Sequence, residues 1–333
     1  RSPRSGAPAW SVDFEQSTPM VADHNTVVGA LRLSDGTFVV ADGGDLTLRF
    51  FDDRGNQTST FGGRGDGPGE FRHLAMLAPW GADSIVLADW ELARLTVVAA
   101  DGSGSRNFRL DSPRDLPGVL VRGVHKDGSI LGTTIATVIP PGTSAAGLRD
   151  LTMPAHRFGA DGAFEQSLEA AWRITDYYHP REGGGFRIFE PLFPTWTKVV
   201  AGPTLLIEAT TDPSEVVLRA KSGPVRAVVR LRNGTASPLT EGIRRAAVEA
   251  RLASYGERDI AIAISDLRRI HEAMPVPERL PAFSDVFVDR LDNVWLREYA
   301  PSRDMDARWL ILNPEGFVAG TLSLPGRLVP LDA

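Results

Sequence analysis

Hydrophobic positions along this chain fall into short runs bounded by Gly, Asp, Asn or Pro. Phe38-Val39-Val40, Ser84-Ile85-Val86-Leu87, Leu205-Leu206-Ile207 and Val294-Trp295-Leu296 are examples. Such runs between turn residues predict β-strands, since a helix needs a longer apolar pattern with a period of roughly 3.6 residues. Glycine supplies the positive φ of tight turns, and Asp and Asn tolerate it. The turns come in pairs. Asp35-Gly36 is followed by Arg54-Gly55, and Ala82-Asp83 by Asp101-Gly102. Asp127-Gly128 is followed, after an insertion, by Asp161-Gly162, then Gly202-Pro203 by Ser222-Gly223 and Asp292-Asn293 by Glu315-Gly316. A unit recurring about every 40 residues with several short strands is the signature of a β-propeller.

Five units are legible, at about 26–61, 72–110, 117–168, 185–232 and 282–324. Residues 10–17 alternate like a lone strand, and 326–331 read as the innermost strand of another unit. Together they predict a sixth blade begun from both chain ends, because closure removes exposed sheet edges. The expected fold is all-β: a six-bladed β-propeller of four-stranded antiparallel blades. Residues 1–9 are expected to form a flexible N-terminal tether, and 10–333 a single domain whose last blade is incomplete.

Two segments break the strand pattern. Residues 240–274 lack turn signals and predict a helical insertion, with Thr240 as cap and Glu241 in the first turn. Ile260, Ile264, Leu267, Ile270 and Met274 recur as one apolar stripe, and Pro275, Pro277 and Pro281 end the helix. Residues 169–197 are rich in aromatics: Trp172, Tyr177, Tyr178, Phe186, Phe189, Phe193 and Trp196.

Charge narrows the function classes. The formal net charge is -6, lysine is confined to Lys126, Lys198 and Lys221, and the arginines are scattered among acids. A nucleic-acid surface needs a basic stripe, so no nucleic-acid partner is expected. The absence of cysteine excludes disulfides, thiolate metal sites and cysteine nucleophiles, and it fits an oxidising compartment. Arg1 to Ala9 hold only Arg, Ser, Pro, Gly and Ala, as a tether left after removal of an export signal would. No apolar run approaches the ~20 residues that span a bilayer. A lipid or N-terminal anchor would have to lie outside the given chain.

The stretch FVVADGGDLTLRFFDDRG and the link FGGRGDGPGEF (Phe61 to Phe71) resemble NHL-repeat and TolB-like six-bladed propellers. LPAFSDVFVDRLDNVWLREY (Leu280 to Tyr299) and RWLILNPEGFVAGTLSLP (Arg308 to Pro325) are similar to bacterial envelope proteins of that kind. The resemblance implies an exported protein, periplasmic or extracellular, in some cases membrane-anchored. Relatives continue past the position of Leu331 with two further strands. The motifs specify a fold and no reaction.

Candidate chemistry is sparse. The glycine run Gly62 to Gly69 ends in Pro68-Gly69-Glu70-Phe71, not in the Gly-Lys-Ser/Thr of a phosphate loop, and reads as an inter-blade link. No G-x-S-x-G elbow is present. Starts of inner strands can converge on a central channel, which makes His24, Asn25, Arg72, His73, Arg122, His125, Glu190 and Asp285 channel-lining candidates. Some six-bladed propellers hold calcium there for hydrolysis, and Asn25, Glu190 and Asp285 supply hard oxygens of the type calcium takes. The same acids have a plainer reading as caps or partners of Arg72, Arg122 and Arg187. No catalytic residue, resident metal or cofactor is assigned. Tyr177 and Tyr178, beside the turn His179-Pro180, are the aromatics expected to project, with Arg187 and Trp196 near them. Arg268 and Arg269 lie on the charged face of the helical segment. The expected function is a non-enzymatic binding or scaffold propeller of the cell envelope, an accessory subunit with a protein partner or larger complex. The alternative is a calcium-dependent hydrolase or lyase with its site at the channel.

Overall fold

The computed structural model describes residues 8–12, 26–81, 84–112, 118–134, 145–181, 184–231, 238–256, 262–300, 306–325 and 330. It opens on a short strand, β1 (Ala9–Ser11). Then β2 (Val27–Arg32), β3 (Phe38–Asp42), β4 (Thr47–Phe51) and β5 (Gln57–Gly62) pair antiparallel in chain order. The order repeats in β6 (Leu74–Trp80), β7 (Ser84–Asp89), β8 (Arg94–Ala99) and β9 (Ser105–Phe108), and again in β10 (Val119–Val124), β11 (Ile130–Thr134), β12 (Gly147–Phe158) and β13 (Phe164–Pro180). A short strand β14 (Phe186–Phe189) folds back on β13. A fourth group follows: β15 (Trp196–Ala201), β16 (Leu205–Thr211), β17 (Ser214–Ala220) and β18 (Val225–Arg230). It joins the third through Arg173 and Ile174 to make one nine-stranded sheet. The last sheet is β19 (Phe283–Val288), β20 (Val294–Glu298), β21 (Ala307–Leu312) and β22 (Val318–Leu324), with β1 as its fifth strand.

The first strand of each group lies against the first strand of the next, from β2 through β6, β10 and β15 to β19. Neighbours run in the same sense. Trp196 and Phe283, the first residues of β15 and β19, stack edge to face at 5.5 Å, and Lys198 reaches Asp285 two residues further on each strand at 2.7 Å. Four-stranded antiparallel sheets set side by side around shared inner strands are consistent with a propeller. Each junction is filled by one apolar cluster. Leu48 and Phe50 meet Ile85 and Leu87 between the first two groups, and Val97 meets Ile130 and Phe158 at the next. Leu131 meets Val199 and Leu206, and Leu218 meets Phe283 and Leu296, at the other two. Burying each such side chain is worth about 1.5–3 kcal/mol, so these junctions, more than the two-residue β13–β15 pairing, bind the groups together.

Burial alone does not fix where an inner strand begins. Asp42, fully buried at the end of β3, does so for the first sheet: its Oδ1 accepts the Thr26 amide at 3.1 Å and the Gly44 amide at 2.9 Å. Asp89, at the end of β7, repeats the device, accepting the Arg72 and His73 amides at 2.7 and 3.2 Å and the Leu92 amide at 3.0 Å. In the fourth group the Thr211 hydroxyl accepts the Trp196 amide at 2.9 Å. The residue closing the second strand thus holds both its own turn and the start of the first strand.

The helical expectation for 240–274 places both described helices. α1 spans Glu241–Gly256 with Thr240 Oγ1 accepting the Ile243 amide at 3.3 Å, and α2 spans Ile264–Ala273, stopping before Pro275. Leu267, Ile270 and Met274 are buried, but Ile264 is exposed and Ile260 lies outside the described residues. The expected inner strand at 326–331 lies outside the described residues except for Pro330. Among the described residues β1 pairs in parallel with β22, Trp10 opposite Leu322. Gly320 makes that seat possible, since a Cβ there would lie 2.6 Å from the Trp10 ring. β1 also begins at Ala9, inside the expected tether. The third and fourth units are bounded differently too: β13 runs on to Pro180, and the fourth unit begins at Trp196.

The clip can be tested directly. Asp89→Ala leaves three part-buried amides without their acceptor and should destabilise by about 2–4 kcal/mol in urea titration. Asp35→Ala, which removes an exposed turn acceptor, should cost far less.

Candidate functional site

Strand β11 ends at Thr134, but β12 and β13 stay paired beyond it, from Pro154 and Ala171 out to Gly147 and Tyr178. The hairpin therefore overhangs the end of the sheets where the inner strands begin. β14 folds back on its tip, Tyr177 opposite Phe189 and Pro180 opposite Phe186. The helices pack on the same overhang: Tyr177, Phe189 and Phe193 share one buried cluster with Leu252, Leu267 and Ile270. The two segments that broke the strand pattern thus form a single body.

Its polar seam is specific. Arg251 reaches Glu190 Oε2 at 3.1 Å and the Pro191 carbonyl at 3.4 Å. His271, fully buried, stacks on Tyr255 at 5.6 Å and 19° and meets Phe189 edge-on at 5.6 Å. Its Nδ1 lies 3.4 Å from Met274 Sδ, and its buried Nε2 has no partner among the described residues. Burial, reinforced by the Arg251 charge, pushes its pKa down to about 4. On the hairpin, burial raises the Asp176 carboxyl, with a smaller push from the Glu190 charge. Between hairpin, helices and fourth sheet opens a cleft of about 230 Å³ lined by Leu148, Thr175, Pro191, Phe193, Thr195, Asp212 and Pro275 to Pro277.

Tyr177 and Tyr178 do not project. They are 4% and 2% exposed. Consecutive strand residues point to opposite faces, and here both faces are covered. Tyr177 faces the helices, and Tyr178 packs on Phe186 at 5.9 Å and under Arg149 at 5.4 Å. Arg187 sits on β14 opposite His179, and Trp196 is half-buried against Phe283. Arg268 binds Glu249, with Nη2 to Oε2 at 3.0 Å, and Arg269 binds Asp266 at 3.2 Å, so both serve the helices' own surface.

The described channel candidates are each engaged by a different partner. His24 and Asn25 lie outside the described residues. Arg72 pairs with Asp66, and exposed His73 meets Trp90 edge-on at 5.3 Å. His125 follows β10 at the opposite end of the sheets, buried, with Nδ1 2.8 Å from the Gly202 carbonyl. That contact requires the proton on Nδ1, and burial lowers the His125 pKa. Glu190 is held by Arg251 and Asp285 by Lys198, neither of them the arginine partners expected. Of the three proposed calcium ligands, Asn25 lies outside the described residues, and Glu190 and Asp285 are paired with different cations.

Sequence reading missed a recurring bulge. The pairing of first with second strand skips one residue in four groups: Val28, Ala75, Arg122 and Ser284. Bulges re-aim a side chain, and only in the third group is that side chain charged. Next to it, Gly123 lets β15 approach, since a Cβ there would stand 2.8 Å from that of Ala201. Arg122 donates from Nε to Thr133 Oγ1 at 2.8 Å, and its guanidinium carbon lies 3.8 Å from the Trp172 ring centroid. Burial pulls its pKa down to about 10.

No family model and no curated protein matches the sequence. Among solved structures, a DUF4221 family member from Bacteroides vulgatus aligns with a TM-score of 0.48 at 10% identity, covering 91% of this chain and 83% of its own. A Bacteroides fragilis protein provisionally described as exported gives 0.45 at 11%, covering 93% and 73%. The virginiamycin B lyase of Staphylococcus aureus gives 0.41 at 8%, covering 93% and 87%. At these scores the fold rests on the registers and contacts described above.

The His271 seam gives a pH prediction. Its folded pKa lies below the ordinary 6.5, so its neutral form supports the fold above that value. That support drains away as the pH falls from 6.5 towards about 4, with no further loss from this group below. The melting temperature of wild type should drop across this window. His271→Phe keeps the stacking and should flatten that part of the profile. An unchanged profile would assign the acid sensitivity elsewhere.

Proposed function

We propose that the chain is a six-bladed propeller of the bacterial cell envelope that works by binding, as a non-enzymatic accessory or scaffold subunit. The observation that carries this reading is the fusion of the overhanging hairpin and the helical pair into one body on a single end of the sheets. Aromatic side chains that would form a mobile patch are instead used internally, through Tyr177, Phe189 and Phe193. The result is a rigid platform, and recognition loops on rigid scaffolds are where binding concentrates. Its cleft is proline-rich, with exposed Leu148 and partly buried Val276 beside the polar Thr175, Thr195 and Asp212 in its lining. Prolines hold such a wall without losing side-chain entropy on binding. A partner side chain fits a space of about 230 Å³, and Arg187, Trp196, Arg268 and Arg269 stay candidates for contacts outside the cleft. An envelope location follows from the resemblance and the cysteine-free composition. No described helix is long and apolar enough to cross a membrane.

Native purification with identification of what travels with the protein tests this. Leu148→Arg and Val276→Arg should each weaken capture of that partner by about 1–3 kcal/mol, the usual cost at an interface hot spot, with unchanged melting temperature. Equal capture by wild type and both variants would move the interface off the cleft.

A further inference from the structure

The bulge residue of the third group has an environment that the fold does not require. In the first, second and last groups the bulge falls at the second residue of the inner strand and carries Val28, Ala75 and Ser284, whereas in the third it falls at the fourth and carries Arg122, so no shared feature of the architecture calls for a cation there. Arg122 is half-buried, and its contacts are few: Nε to Thr133 Oγ1 at 2.8 Å, Nη2 to Met153 Sδ at 4.0 Å, and the face of Trp172 at 3.8 Å. Among the described residues no carboxylate pairs with it. The contrast with its neighbours is direct. Lys198 also lies over a tryptophan, 4.6 Å from the Trp196 centroid, but holds Asp285 at 2.7 Å. Arg173 and Arg219 share Glu208. Arg72 and Arg268 have their pKa raised by hydrogen bonds to Asp66 and Glu249, whereas burial alone acts on Arg122, downward.

A guanidinium has five N–H donors in a planar fork. Stacking on Trp172 covers one face and leaves the fork's edge, where Nη1 has no hydrogen-bond partner among the described residues. An uncompensated buried charge is costly, and a carboxylate meets the fork with two parallel hydrogen bonds. We propose that Arg122, stacked on Trp172 and fixed by Thr133, is the anchor of a binding site for a small organic monocarboxylate at the junction of the third and fourth groups. A monoanion is favoured because no second cation among the described residues acts on the guanidinium, whereas a phosphate dianion calls for more positive charge. The indole beside the fork suits a carboxylate with an apolar body. The site does not depend on the partner-binding reading and stands or falls separately.

Thermal melts in sodium propionate against sodium chloride, at matched ionic strength and pH, test this on the whole chain. Wild type should gain about 2–4 °C at tenfold the dissociation constant of propionate. Arg122→Met removes the charge but keeps bulk against Trp172. It should melt at or above the wild-type temperature in chloride and show no propionate response. Arg122→Lys keeps the charge without the fork and should bind propionate at least about fivefold more weakly by calorimetry. An unresponsive wild type would overturn the proposal. So would an Arg122→Met variant that responds like wild type, or one that melts well below it in chloride and so marks Arg122 as a structural staple. Equal propionate affinity in Arg122→Lys would remove the fork from the account.

Discussion

The start of each inner strand has to be held at a fixed height, because everything at that end of the molecule is built on it. Apolar packing between the sheets supplies most of the stabilisation but is non-directional, and it tolerates small sliding movements. The buried carboxylates of Asp42 and Asp89 and the hydroxyl of Thr211 do not, because each accepts a named backbone amide at the start of the first strand. A slip of one residue would strand a buried acceptor and turn every side chain of that strand to the other face. In two of these strands a bulge follows a few residues on, at Val28 and Ala75.

On this fixed end sit the overhanging hairpin and the helical pair. α2 is short, and an isolated helix of its length is marginal in water. It is held through Leu267 and Ile270 against the hairpin's aromatics, and through His271 wedged between Tyr255 and Phe189. The hairpin tip gains the mirror-image benefit, because without the helices Tyr177 and Phe193 would face water. Each insertion is thus the other's core. Charged residues on the helices mostly answer one another, as in Arg268 with Glu249. Among the described residues the proline-walled cleft and the Arg122 guanidinium, which no carboxylate meets, are different in keeping chemistry open to a ligand.

Strand units were legible because turn chemistry is local. The paired Gly and Asp turns mark hairpins whichever sheet they join. The segment 240–274 was legible for a similar reason, with a cap, an apolar stripe and terminating prolines all within one stretch. The long hairpin was missed although a signal was present. From Phe164 to His179 the chain has no Gly, Pro or Asn, and alternation continues past 168, where the third unit was expected to end. Asp42 and Asp89 do not stand out in the sequence, since their role towards amides 16 and 17 residues earlier in the chain is tertiary. Tyr177 and Tyr178 were misplaced for the same cause: a nearby turn suggests exposure, and only the docking of distant helices and β14 covers them. Arg122 was marked as a channel candidate, but neither its bulge nor its stack on Trp172, 50 positions on, could be read from spacing.

The central claim is that hairpin and helices form one body on the inner-strand end. Hydrogen exchange by mass spectrometry in increasing sub-denaturing urea tests it most directly, following α2 together with β13 and β14. The account predicts that amides of 264–273 and of the hairpin tip lose protection together, in one cooperative step distinct from β3 and β7. Rapid exchange of 264–273 while the hairpin tip stays protected would contradict it.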